Sequence, residues 1–150
     1  MNSKKEKEEN PNAFKHWINR ALLLRMGEAL HAADPSFDTK EFLRLAPKLD
    51  PLELKPRVRL VRDELRRLLP HDYPRALKVL LKSLREEKLS GFDLWPYTEF
   101  VQTYGLEHVN LSLNAMKELT KRFTSEFAVR PFLKIAPEAT LAFLQTCAKD

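Results

Sequence analysis

Glycine is scarce in this 150-residue chain, with only three. Sheets joined by tight hairpins, and loops that cradle phosphates, need residues able to adopt positive φ, so both architectures are disfavoured. Cysteine is scarcer still. Cys147 is alone, which excludes a disulfide framework and a thiolate metal cluster. No apolar run approaches the roughly 18 residues of a membrane-spanning helix. The opening MNSKKEKEENPN is charged and polar, without the apolar stretch of a secretory signal, so residues 1–12 are expected to form a disordered lead-in. The expected compartment is the cytoplasm.

The catalytic signatures that rest on short motifs are missing as well. The chain has no Gly-rich phosphate loop, no HExxH, no CxxC and no nucleophile elbow. His16, His31, His71 and His108 lie far apart without ligand-like spacing, and each reads as a surface or capping residue. Phosphoryl transfer, metal-dependent hydrolysis and thiol chemistry are disfavoured, and neither metal nor cofactor is expected.

Ten prolines punctuate a sequence whose apolar residues recur at three- and four-residue steps. Residues 13–33 carry Phe14, Trp17, Ile18, Ala21, Leu22, Met26, Ala29 and Leu30 on one helical face, ended by Asp34-Pro35. Asp38 or Thr39 caps a short helix that stops before Pro47. Asp50-Pro51 offers an N-cap with proline at the first helical position, and Leu54, Val58, Val61, Leu65 and Leu68 line the helix that follows. Asp72 caps the next, with Tyr73, Ala76, Leu77, Leu80, Leu81 and Leu84 inward and Gly91 closing the unit. Further helices are expected over 93–104, closed by Gly105, over 110–123 with Leu111, Leu113, Met116, Leu119 and Phe123 apolar, and over 125–136 and 137–148.

About eight helices and no convincing strand make the fold class all-α. Pairs start near residues 13, 51, 93 and 125, close to the period of HEAT-like units, and predict stacked antiparallel helix pairs in an α-solenoid. A compact bundle is the alternative. Residues 13–150 are read as one helical-repeat domain.

The excess of 26 basic over 21 acidic residues, +5 overall, favours an anionic partner without naming one. The densest basic stretch is Lys55, Arg57, Arg59, Arg62, Arg66 and Arg67. Interleaved Asp63 and Glu64 make it read as a salt-bridged outer face. A second group comprises Lys117, Lys121, Arg122, Arg130 and Lys134, and is the better candidate for phosphate contact.

One family is recognisable. Gly91-Phe92-Asp93-Leu94-Trp95-Pro96, Phe100-Val101, Tyr104-Gly105-Leu106 and residues 112–117 (SLNAMK) lead into the run at 119–133, LTKRFTSEFAVRPFL. Upstream stand Pro35-Ser36-Phe37-Asp38, Leu52-Glu53-Leu54-Lys55 with Arg57-Val58, and Leu69-Pro70-His71-Asp72-Tyr73. From about residue 13 onward the chain resembles the AlkC branch of the HEAT-like-repeat DNA alkylation repair glycosylases. Members of that branch continue through a further basic segment and more helices, so these residues correspond to its N-terminal part.

The resemblance implies a solenoid that grips double-stranded DNA through its backbone and hydrolyses the N-glycosidic bond of cationic N-alkylated bases such as 3-methyladenine. Such a base is already charged and leaves neutral, so no general acid is required. An anionic side chain stabilises the oxocarbenium-like sugar and positions water. The resemblance aligns Glu126 with a functional carboxylate of the family, which makes it the candidate catalytic residue. It also fits the five basic residues above to DNA. From the residues alone, Glu126 also reads as a first-turn acid favoured by the helix dipole, and Arg130 as its i,i+4 partner. Trp95 and Tyr97 read as packing between units. A non-catalytic helical-repeat module that binds DNA or protein is the other functional class open to the sequence, and its oligomeric state is left open.

Overall fold

A computed structural model describes residues 15–121 and 137–140. Within them α1 spans Arg20–Ala33, α2 Thr39–Leu43, α3 Ala46–Leu49, α4 Leu54–Leu68, α5 Tyr73–Ser83, α6 Trp95–Tyr104 and α7 Val109–Thr120. Short 3-10 turns at Leu84–Glu86 and Gly91–Leu94 join α5 to α6. Residues 137–140 are helical, where the sequence predicts the last helix to begin, and Thr140 is buried. There is no strand among the described residues.

The fold is the expected all-α, HEAT-like stack of antiparallel helix pairs. The helices form two layers: α1, α5 and α7 pack in one, and α2, α4 and α6 in the other. The chain crosses between layers from α1 to α2, from α4 to α5, from α5 to α6 through the 3-10 turns, and from α6 to α7. One continuous core runs between the layers, with Leu22, Met26, Leu30, Phe42, Val61, Leu65, Leu80, Tyr97, Phe100 and Met116 essentially inaccessible.

Three caps follow the sequence. The Asp38 carboxylate accepts the Glu41 backbone N–H at 3.0 Å, and that of Asp72 accepts Arg75 N–H at 3.1 Å. Gly105 is the C-cap of α6, its N–H bonded to Val101 O.

Other boundaries differ. The first helix is expected from residue 13, yet residues 16–19 form a turn, because the Asn19 carboxamide caps Leu22 N–H at 2.9 Å and starts α1 at Arg20. Trp17 consequently leaves the core face and is 48% exposed. The short helix α2 stops before Pro47 as expected, but Pro47 itself sits in the first turn of a further helix, α3, where its missing N–H costs nothing. Pro56 does the same for α4, which starts at Leu54 behind Glu53 and not at Pro51. Gly91 opens the second 3-10 turn at φ +59 instead of closing α5, and Glu87 holds the left-handed position after the first. Leu111, expected inward, is exposed on α7.

Arg57 is the largest departure. The sequence places it on the solvated basic face, whereas it is 3% exposed. Its Nε donates to Leu52 O (2.8 Å), Nη1 to Lys15 O (3.0 Å) and Ile18 O (2.9 Å), and Nη2 reaches Asp50 O (3.4 Å). One planar guanidinium thus joins carbonyls from two separate segments, residues 15–18 and 50–52. Arg57→Ala would remove all four bonds and leave the buried Ile18 carbonyl without its donor. We expect a loss of about 3 kcal/mol in chemical denaturation, with Arg57→Lys recovering less than half because an ammonium cannot span the fork.

Candidate nucleic-acid interface

The two layers carry basic residues differently. On α4 the guanidinium groups of Arg62, Arg66 and Arg67 are engaged within the protein, and Arg59 is exposed. Arg62 Nε donates to Asp63 Oδ1 at 2.8 Å, and Arg67 bonds both Glu64 and Glu41. Arg66 lies 5.4 Å from the Tyr104 ring centroid, with Nη1 buried against the protein. Within this stretch Arg62 and Arg67 form the salt-bridged face that the sequence suggests, while Arg57 is buried and Arg66 packs on a ring. Burial alone would raise the Asp63 carboxyl, but hydrogen bonds from Arg62 and Tyr104 outweigh it and hold the group below its usual range. Arg44 and Arg67 do the same for Glu41. A carboxyl depressed in the folded chain stabilises it above the unfolded value, and that contribution is lost as pH falls through the folded value. Melting temperatures should therefore be flat near neutrality and fall below pH about 4, with part of that acid sensitivity removed in Asp63→Asn.

The other layer presents a groove between α5 and α7. It encloses about 490 Å³ and is lined by Lys78, Leu81, Lys82, Leu84, Arg85 and Glu118. Lys117 sits half-buried on the last turns of α7. Lys121 caps that helix, exposed, with Nζ 3.2 Å from Glu118 Oε1. Such an exposed pair is worth under about 1 kcal/mol, so a phosphate would compete for Lys121 at little cost. Lys117 and Lys121 thus sit together at the end of α7. The rest of the candidate site, Arg122, Glu126, Arg130 and Lys134, lies outside the described residues.

Arg75, Lys78, Lys82 and Arg85 are invisible to the apolar periodicity that defines α5 from sequence. Their spacing of three, four and three residues is the signal that exposes them as one helical face. Among the described residues no group of three or more His, Cys, Asp or Glu side chains is placed to hold a metal ion. Nor is any helix among them long and apolar enough to cross a membrane.

A hydrogen-bonded knot fixes α7 against α5. Ser112 Oγ donates to Gly105 O at 2.8 Å, so the Tyr73 hydroxyl, 2.8 Å away, donates to Ser112. The Tyr73 ring stacks on Phe100 and on His108, the N-cap residue of α7. Burial pushes the Tyr73 hydroxyl pKa up, against the pull of the Ser112 bond, and does so more strongly for Tyr97, which is bonded only to Ser83. On the far side Asp93 is buried, takes the Ser90 N–H at 3.2 Å and lies 3.3 Å from Arg25 of α1. Phe92 packs between Trp17 and Trp95, with ring centroids 5.5 and 6.0 Å away. Trp95 and Tyr97 pack between units as the sequence suggests. Much of the sequence that carries the resemblance, from Asp72-Tyr73 through Gly91–Gly105, is therefore scaffold.

The α1–α7 stack has a counterpart among solved structures, at a TM-score of 0.80 and 32% identity. It is the alkylpurine DNA glycosylase AlkC of Pseudomonas fluorescens, bound to DNA containing an abasic site analogue. This chain is similar to AlkC in fold and sequence. The alignment covers 91% of the chain and 38% of the solved one. The uncharacterized protein YhaZ of Bacillus subtilis (strain 168) is 36% identical over 134 residues, 87% of this chain and 37% of that protein. The chain thus spans less than two fifths of the length of either relative. No family model matches it.

Proposed function

We propose that this chain acts in the repair of alkylated DNA, as part or all of a monofunctional glycosylase that hydrolyses the N-glycosidic bond of cationic N-alkylated bases such as 3-methyladenine. The observation that carries the reading is the similarity to a glycosylase held on DNA with an abasic site analogue, the product side of such a reaction. The partner is double-stranded DNA containing alkylated bases, and the expected compartment is the cytoplasm. In this reading Glu126 is the catalytic carboxylate. It stabilises positive charge developing on the deoxyribose and orients the attacking water. Lys117, Lys121, Arg122, Arg130 and Lys134 contact phosphates on either side of it. No step needs a metal or an organic cofactor, because the substrate base carries its own positive charge and departs neutral.

A second reading is a helical-repeat module that binds DNA or protein without catalysis. It is favoured by the limited span of the match, 38% of the solved glycosylase. The test is release of methylated purines from dimethyl sulfate-treated duplex DNA. Release above the spontaneous rate supports the glycosylase. Tight duplex binding without release supports the module.

A further inference from the structure

We infer that the exposed face of α5, with Arg75, Lys78 and Lys82 and continuing to Arg85, is the track that holds the sugar–phosphate backbone of a DNA duplex beside α7. This inference rests on the DNA reading above and assigns it a surface. The four residues fall within less than a quarter of the helical circumference, opposite Tyr73, Ala76, Leu77 and Leu80, which are buried. All four side chains are exposed or partly so. The helix Tyr73–Ser83 contains no acidic residue, and no ion pair reaches any of the four among the described residues.

The carboxylates nearby are few and already occupied or set aside. Asp34 accepts both the backbone N–H and the hydroxyl of Ser36 and acts on Arg75 only at longer range. Glu118, on α7, is paired with Lys121 of the same helix end. Glu86 and Glu87 follow the helix, and Glu28 of α1 is taken by Lys88. The contrast with α4 decides the face. There Asp63, Glu64 and Glu41 neutralise Arg62 and Arg67, so an approaching polyanion would have to break internal pairs. On α5 no described carboxylate is ion-paired with the row, so a polyanion displaces no internal partner there.

Dimensions agree with the assignment. From residue 75 to 85 the row extends about 15 Å at 1.5 Å per residue, which faces about four phosphates of one strand at roughly 3.4 Å of duplex axis each. The groove lined by Lys78, Lys82, Arg85 and Glu118 joins the row to Lys121 at the end of α7. A membrane surface fits less well, since an interfacial helix displays exposed bulky apolar side chains beside its cations. The large exposed apolar residues among the described ones, Trp17, Leu24 and Leu111, are not on α5.

The test compares two triple substitutions of equal charge change, Lys78→Ser/Lys82→Ser/Arg85→Ser along the α5 row and Lys48→Ser/Lys55→Ser/Arg59→Ser on α3 and α4. Binding to a fluorescein-labelled 20-base-pair duplex is followed by anisotropy over a range of salt, and thermal melts check that both variants fold. The α5 variant should bind about tenfold or more weakly at 0.1 M salt. Its log–log salt slope should flatten by up to about 3, roughly 0.9 for each phosphate left without its cation. The control should change less than about threefold. If both variants weaken equally, or the control weakens more, the assignment of α5 is overturned while the DNA reading stands. If the unsubstituted chain shows no salt-dependent duplex binding, both fall together.

Discussion

Gly105→Ala should unfold this protein well below the wild-type melting temperature, by about 10 °C or more. The reason is not backbone strain, since φ at Gly105 is −104. A Cβ there would lie 2.2 Å from the Tyr73 hydroxyl, 2.3 Å from Ser112 Oγ and 2.7 Å from Val101 O. None of the three can yield cheaply. Val101 O is held in α6, where it accepts the Gly105 N–H. The Tyr73 ring is clamped between Phe100 and His108. Ser112 is fully buried and bonded to both Tyr73 and Gly105 O.

Overpacking of this kind costs about 1–3 kcal/mol, and breaking the buried hydroxyl pair adds about 1–3 kcal/mol more. Tyr73→Phe by itself should cost only about 1 kcal/mol, because Ser112 keeps its bond to the Gly105 carbonyl. In that background the alanine meets one atom fewer, so the two substitutions should be less than additive in a double-mutant cycle. Wild-type melting of Gly105→Ala would mean that α5 does not close on the α6–α7 turn as described.

Glu126→Gln carries the largest expected effect on chemistry. The amide keeps the size of the carboxylate but removes the charge that opposes the developing oxocarbenium. A preorganised electrostatic contact of this sort is worth about 10²–10³ in rate. Duplex affinity should hold or rise slightly, because one negative charge near the phosphates is gone. A fall in rate at unchanged affinity separates a catalytic carboxylate from one that only pairs with Arg130, since breaking a surface i,i+4 pair changes stability by a few tenths of a kcal/mol. Equal rates for the two proteins would remove Glu126 from the chemistry.

The parts of the fold that could be read in advance are those set by local chemistry. Asp38 and Asp72 each stand where one side-chain oxygen satisfies an orphan N–H, and Gly105 stands where a chain reversal meets a packed hydroxyl. The apolar rows of α4 and α5 face inward almost as their periodicity predicts. Positions set by distant partners could not be read this way. Arg57 looks like its neighbours Lys55 and Arg59, but the carbonyls of Lys15 and Ile18, some forty residues earlier, join those of Asp50 and Leu52 in holding it inside. Trp17 leaves the predicted face because Asn19 caps two residues later and Phe92, far along the chain, offers a ring.

The candidate site divides the same way. Lys117 and Lys121 fall together because one helix carries both. Glu126 stands out only through the family resemblance, since an acid after Thr124-Ser125 also has an ordinary helix-start explanation. The α5 row needed no tertiary information. Its helical spacing was present in the sequence, but only the pairing of the α4 arginines shows why it differs from the denser basic stretch beside it.

The central claim is that this chain handles alkylated DNA, and single-turnover release of 3-methyladenine from a methylated duplex tests it most directly. Protein in excess over DNA, with unsubstituted and Glu126→Gln chains side by side, should give release well above the spontaneous rate for the first. For the second, release should be about a hundredfold slower or more. A folded, DNA-saturated wild-type chain that releases base no faster than buffer would contradict the glycosylase reading.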